Sequence, residues 1–122
     1  METVVVRIAA KAGMEDKVEA FYLSQRAEYE VASGFIDRKI LKARTGAMFN
    51  ALKSRMTPEQ IARHPAPKGD AEPGTDFILI EHWVSIDARM DFTMSRTKAR
   101  DKELFPYLLP QHASEFFEEI ST

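Results

Sequence analysis

The stretch Asp76-Phe77-Ile78-Leu79-Ile80-Glu81-His82-Trp83-Val84-Ser85 decides how the rest of this 122-residue chain is read. Strand side chains alternate between two faces, so Ile78, Ile80 and Val84 point one way and Phe77, Leu79, Glu81 and Trp83 the other. Both sets are apolar, which predicts a central strand buried on both sides. Glu81 is the exception, a carboxylate two residues from the only tryptophan and on the same face. Burying it without a partner would cost on the order of several kcal/mol. Its face is therefore expected to look into a cavity, a wet interface or a paired charge.

Working outward, Thr3 to Ala9 is β-branched and short, a first strand with Val4, Val6 and Ile8 on one face and Val5, Arg7 and Ala9 on the other. A helix layer would tolerate Arg7 poorly, so Arg7 is placed on the same open side as Glu81. Gly13 marks a turn. Met14 to Ala32 reads as a helix, with Met14, Val18, Phe21, Gln25 and Tyr29 at helical spacing beside a stripe of Leu23, Ala27 and Val31. Ser33-Gly34 ends it, and Phe35 to Ala43 is a second strand. Ser85 can cap a second long helix that begins at Ile86-Asp87 and ends before Pro106. Tyr107 to Pro110 reads as an apolar connector. Ser114 to Ile120 is expected to be the last strand, because β-α-β-β-α-β is the split βαβ order of ferredoxin-like folds.

Residues 44–75 are too long for a simple connection between neighbouring strands. Ala47 to Met56 can form a short helix. Thr57-Pro58-Glu59-Gln60 reads as a capping box opening another helix, which Pro65 and Pro67 stop near His64. Pro65 to Thr75 is a loop. Phe49, Leu52, Met56 and Ile61 need cover, so the segment is expected against the mouth of a cavity or over a partner subunit.

The length fits one domain, residues 1–122, with one two-layer core. A net charge of -2 leaves no electrostatic footprint for nucleic acid or an anionic membrane. Cysteine is absent, which excludes disulfides and thiolate chemistry. No apolar run reaches the roughly 18 residues of a membrane span, and Met1-Glu2-Thr3 is no signal peptide, so the cytoplasm is the expected compartment. His64, His82 and His112 lack metal-ligand spacing, and no glycine-rich phosphate loop or nucleophile elbow occurs. Neither metal nor cofactor is expected. His82 is expected to cap the helix-side core, and Met90 and Met94 to fill it.

Val4-Val5-Val6-Arg7 leading to Lys11-Ala12-Gly13-Met14-Glu15, then Ser33-Gly34-Phe35, and above all Phe77-Ile78-Leu79-Ile80-Glu81-His82-Trp83 with Ser85 and Ala88 behind it, resemble the antibiotic biosynthesis monooxygenase family. The resemblance covers most of the chain except roughly 44–75. It implies a ferredoxin-like α+β domain pairing as a homodimeric α+β barrel, with both helices on one sheet face and a second subunit on the other. It further implies a small-molecule substrate and cofactor-free oxygenation of an aromatic or polyketide-like compound. Many members carry a histidine about nine residues after the tryptophan, where this chain has Phe92. The haem-degrading branch uses an asparagine, a tryptophan and a histidine whose positions fall on Val5 or Val6, on Phe92 and near Lys102. None matches, which argues against haem degradation.

On that resemblance Glu81 and Trp83 are the candidate catalytic residues, and Arg7, Leu79 and Phe92 the candidate substrate contacts. Trp83 either stacks a substrate or packs at the dimer interface. Glu81 either orients a substrate hydroxyl and takes its proton, or forms a buried ion pair with Arg7 or a lysine of the second strand. No strong catalytic constellation is present, so a non-catalytic dimeric binding protein on the same scaffold is the alternative.

Overall fold

A computed structural model describes residues 1–63, 74–95, 100 and 102–121. Its frame is one antiparallel sheet in the order β2-β3-β1-β4, with β1 at Glu2–Lys11, β2 at Phe35–Lys42, β3 at Gly74–Trp83 and β4 at Leu108–Phe117. β3 thus lies between β1 and β2, the ferredoxin-like arrangement. Helices α1 (Glu15–Ser24), α2 (Arg26–Glu30) and α5 (Ile86–Ser95) accompany it, and α3 (Ala47–Lys53) and α4 (Pro58–Arg63) lie between β2 and β3 in sequence. No described helix is long and apolar enough to cross a membrane.

Register settles the two faces. Val4, Val6 and Ile8 stand opposite Glu81, Leu79 and Phe77, so these six share one face. That face is the covered one. Val18 and Tyr22 of α1 pack with Ile8, Ala10, Phe77 and Leu79. Tyr29 of α2 packs with Val4 and Trp83, joined by Ala88 and Phe92 of α5. Phe77, Leu79, Glu81 and Trp83 are all at most 2% exposed. Arg7 pairs with Ile78 and belongs to the opposite face, where it is exposed. The expectation that Glu81 and Trp83 look away from the helices beside Arg7 is therefore reversed.

Other expectations shift with the face. His82 lies on the uncovered side, its Nδ1 2.6 Å from Asp37 Oδ1, and does not cap the helix-side core. Met90 and Met94 are 41% and 81% exposed, so they are not core filler. The long first helix breaks at Gln25. There the Tyr22 carbonyl accepts a hydrogen bond from Arg38 Nη2 at 2.9 Å, while Gln25 N–H turns to it at 3.2 Å. The last strand runs from Leu108 to Phe117, so the expected connector is strand from Leu108 on, with Tyr107 closing a 3-10 turn. A bulge at Ile36 lets Phe35 and Arg38 both reach the helix side.

Local signals fare better. Thr57 Oγ1 accepts from Gln60 N–H at 3.2 Å and Gln60 Oε1 accepts from Thr57 N–H at 2.9 Å, the reciprocal capping box. Ser85 Oγ accepts from Ala88 N–H at 3.1 Å at the start of α5. Gly34 has φ +84°, and a Cβ there would lie 2.5 Å from Ala88 Cβ. Only glycine lets β2 begin this close to α5. Neither α3 nor α4 contributes a buried residue, and Met48 and Leu52 are exposed. His64 and the predicted loop up to residue 73 lie outside the described residues, while Gly74 and Thr75 belong to β3.

Candidate functional site

β3 turns Glu81 and Trp83 under α2 and α5, and the carboxylate is wholly buried. Three donors meet it there. Trp83 Nε1 donates to Oε1 at 2.8 Å, Arg89 Nε donates to the same oxygen at 2.8 Å, and Tyr29 hydroxyl donates to Oε2 at 3.3 Å. Desolvating a lone carboxylate is costly, and a charged partner with supporting hydrogen bonds offsets that cost. The partner is Arg89, with a side chain 11% exposed. The expected ion pair is present in kind, but its cation comes from α5 and not from Arg7 or β2.

Arg89 reaches Glu81 because Ser85 starts α5 immediately after β3. Arg89 and Phe92, three residues apart, then share the inward helical face. Arg89 Nη1 donates to Thr93 Oγ1, whose hydroxyl in turn donates to the Arg89 carbonyl at 3.0 Å. Behind the carboxylate lies an aromatic cluster. Trp83 packs with Phe35 and Phe92 at 5.3 Å between ring centroids, and Tyr29 packs on Phe92 at 4.7 Å. On the outer side the Arg38 guanidinium lies 3.9 Å from the Tyr29 ring centroid. The tilted and edge-on rings fix the carboxylate's surroundings.

In front of Glu81 a cavity of about 290 Å³ opens between the helices and the sheet. Its floor is Leu79, Glu81 and Arg89. Tyr22, Gln25 and Tyr29 wall one side, and Leu104, Phe105 and Leu108 are apolar lining. His112 and Ser114 of β4 also reach it, as the register with Ile8 and Val6 requires. A mostly apolar space with a few converging polar groups is the usual form of a small-molecule site. A wider groove of about 500 Å³ runs along β2 past Arg26, Glu30, Asp37 and Arg38. Neither Glu81 nor Arg89 lines it, so the smaller cavity is the candidate site.

Of the five candidate residues, Glu81 and Leu79 line this cavity. Trp83 lies one hydrogen bond behind it, and Phe92 one ring further back. Arg7 is on the other sheet face, beside a separate shallow depression with Asp76 and Gln111. No residue of 44–63 lines the cavity, so the described part of the insertion does not stand at its mouth. Tyr29, Arg89, Gln25, His112 and Ser114 were not expected at a substrate site from the sequence. A usable signal existed for Gln25, the one polar residue inside an apolar helical stripe. Among the described residues no three His, Cys, Asp or Glu side chains cluster as metal ligands.

No protein-family model matches the chain, and no curated protein matches it in sequence. Solved structures do match its fold. A protein from Bordetella bronchiseptica named an antibiotic biosynthesis monooxygenase superposes with a TM-score of 0.66 at 15% identity, covering 98% of this chain and 97% of that one. Rv0793 from Mycobacterium tuberculosis gives 0.65 at 10% identity, covering 99% and 96%. SnoaB, a cofactor-independent oxygenase from Streptomyces nogalater, gives 0.56 at 13% identity, covering 99% and 95%. At these identities the likeness is one of fold.

Proposed function

We propose that this chain, whose fold is the ferredoxin-like α+β fold of proteins named antibiotic biosynthesis monooxygenases, is a cofactor-free monooxygenase acting on a small aromatic held in the Glu81–Arg89 cavity. The observation that carries the reading is the buried carboxylate itself. Glu81 is fixed by Trp83, Arg89 and Tyr29 at the floor of a cavity lined by Leu79, Leu104 and Leu108. A cofactor-free oxygenation needs an electron-rich substrate that supplies its own electrons. An anthrone-type methylene and one dioxygen give a carbonyl and one water, so no external reductant enters. The protein's part is to exclude water and to orient the ring. The working unit is a homodimer, the second subunit covering the sheet face that carries Val5, Ile78 and Ile80.

One observation favours the alternative, a binding protein on this scaffold. Both Glu81 oxygens already accept hydrogen bonds from the fold, so the carboxylate has a structural role without any substrate. Oxygen-electrode measurements with hydroxylated naphthalenes and anthrones separate the two readings. Oxygen uptake above the protein-free rate, with quinone formed in equal amount, supports the oxygenase. Saturable binding of the same compounds with uptake at the protein-free rate supports the binding protein.

A further inference from the structure

Two buried side chains on the cavity wall have hydrogen-bond donors that no described residue accepts. Gln25 is 1% exposed, and its Oε1 accepts from Arg38 Nη1 at 3.0 Å. A guanidinium can only donate, so the amide oxygen must face Arg38 and the amide NH2 must face the other way. That NH2 makes no hydrogen bond among the described residues. Arg89 repeats the pattern. Its Nε is held by Glu81 and its Nη1 by Thr93, while Nη2 makes no hydrogen bond among the described residues. Neither nitrogen is sealed in the core as an unsatisfied buried atom, and both residues line the same cavity. Each donor is thus pre-oriented by a partner on the far side of its own side chain. Buried donors left unpaired are costly, so a ligand that supplies acceptors is selected over one that does not.

We infer that Gln25 and Arg89 form a two-point donor clamp, which binds the substrate as its conjugate base through an ionised enol or phenol oxygen on a planar aromatic. This rests on the reading of the cavity as the substrate site and adds how the substrate is held and in what ionic form. Glu81 then has no proton to remove. Its charge keeps Arg89 in place, and Arg89 presents its free amino group to an oxyanion. Of the titratable groups that the described residues bring to the cavity wall, Arg89 is the one fixed positive charge, beside Glu81, Tyr22, Tyr29 and His112. The apolar lining of Leu104, Phe105 and Leu108 suits fused rings better than a small inorganic anion. Charge-assisted donation from Arg89 supplies most of the preference for the anion.

The test is binding without oxygen, so that it stands or falls apart from turnover. Isothermal titration under anaerobic conditions at neutral pH would compare lawsone, a hydroxynaphthoquinone ionised at that pH, with its methyl ether, which cannot ionise. The absence of cysteine removes thiol addition as a complication. The expected result is that lawsone binds roughly tenfold or more tightly than the ether. Gln25→Glu keeps an acceptor for Arg38 while replacing the NH2 donor with an oxygen. It should weaken lawsone by roughly tenfold and change the ether by less than about twofold. Equal affinity for lawsone and ether, lawsone affinity unchanged in folded Gln25→Glu, or no binding of either probe would each overturn the clamp. The comparison of the two probes on the unaltered protein holds even where a variant does not fold. Oxygen uptake without a preference for the anion would sink the clamp and leave the oxygenase reading standing.

Discussion

The two faces of β3 differ by a single step along the chain and end in opposite surroundings. Phe77, Leu79, Glu81 and Trp83 lie under three helices and are sealed, whereas Ile78, Ile80 and His82 are half-buried on the opposite face, away from the described core clusters. By composition the second set should be the inner one, since the first contains the acid. The sealed face can hold the charge because α5 brings a matching cation, Arg89, and because Trp83 and Tyr29 complete the carboxylate's hydrogen bonds. Apolar residues mark what must be covered; a charge among them marks where a partner must arrive.

The harshest way to break the sealed face is Trp83→Ala. It removes the central ring of the aromatic cluster and one donor to Glu81, and should destabilise the fold by about 3–5 kcal/mol. Urea denaturation gives the value, and a midpoint unchanged from the parent would contradict the packing described. Arg89→Met tests the charge alone. It strands the Glu81 carboxylate, with an expected loss of about 3–4 kcal/mol by the same measurement. The paired replacement Glu81→Leu with Arg89→Met should cost less than Arg89→Met by itself, because it removes both charges. A double variant worse than the single would mean that the ion pair is not what holds this face.

The uncovered face is probed by Ile80→Lys, opposite Val5 and Lys39. Its effect on the unfolding of a single chain should be about 1 kcal/mol or less. Its effect on assembly should be complete. Sedimentation of the parent is expected at twice the 13.9 kDa chain mass, and of the variant at the chain mass. A parent that sediments only at the chain mass would end the homodimer proposal. If the second subunit also covers 47–63, the same variant speeds hydrogen exchange at the Leu52 and Ile61 amides; exchange that is fast in both proteins would rule that cover out.

The smallest effect lies at the start of α1, at Glu15. Its own backbone N–H, and then the Thr75 hydroxyl at 3.1 Å, hold its carboxyl below the usual carboxylate range against some desolvation. A folded value below the unfolded one contributes stability above the unfolded pKa, and that contribution is lost as pH falls through the folded one. Glu15→Gln should therefore lower Tm slightly near neutrality and leave it unchanged in strong acid. A difference that grows on acidification would refute the sign.

The strands and the caps at Thr57 and Ser85 were legible because each rests on neighbours a few residues apart, and the ferredoxin-like sheet followed from the succession of elements along the chain. Sidedness was not. The alternation of β3 says which residues share a face, but with both faces apolar it does not say which one the helices take. Arg89 escaped notice for a related reason. Its helix carries Ile86, Met90 and Met94 four residues apart, an apolar stripe that reads as the buried one and is in fact the exposed one. Gln25 announced itself only as a polar residue in an apolar series, and its meaning depends on Arg38, which the bulge at Ile36 turns inward.

Trp83 is the only tryptophan in the chain, and it is 0% exposed. Its indole N–H ends on the same carboxylate oxygen as Arg89, so the protein's single indole is wired to the floor of the cavity. Emission excited at the red edge of the absorption band comes from this residue alone, without any engineered label. In the native state it should be blue-shifted. A ligand that disturbs Arg89 is felt one hydrogen bond away, as a change in intensity at constant far-ultraviolet circular dichroism. During unfolding the same signal follows the helix-covered side of the sheet. Its coincidence with the loss of circular dichroism decides whether the two sides of β3 come apart together.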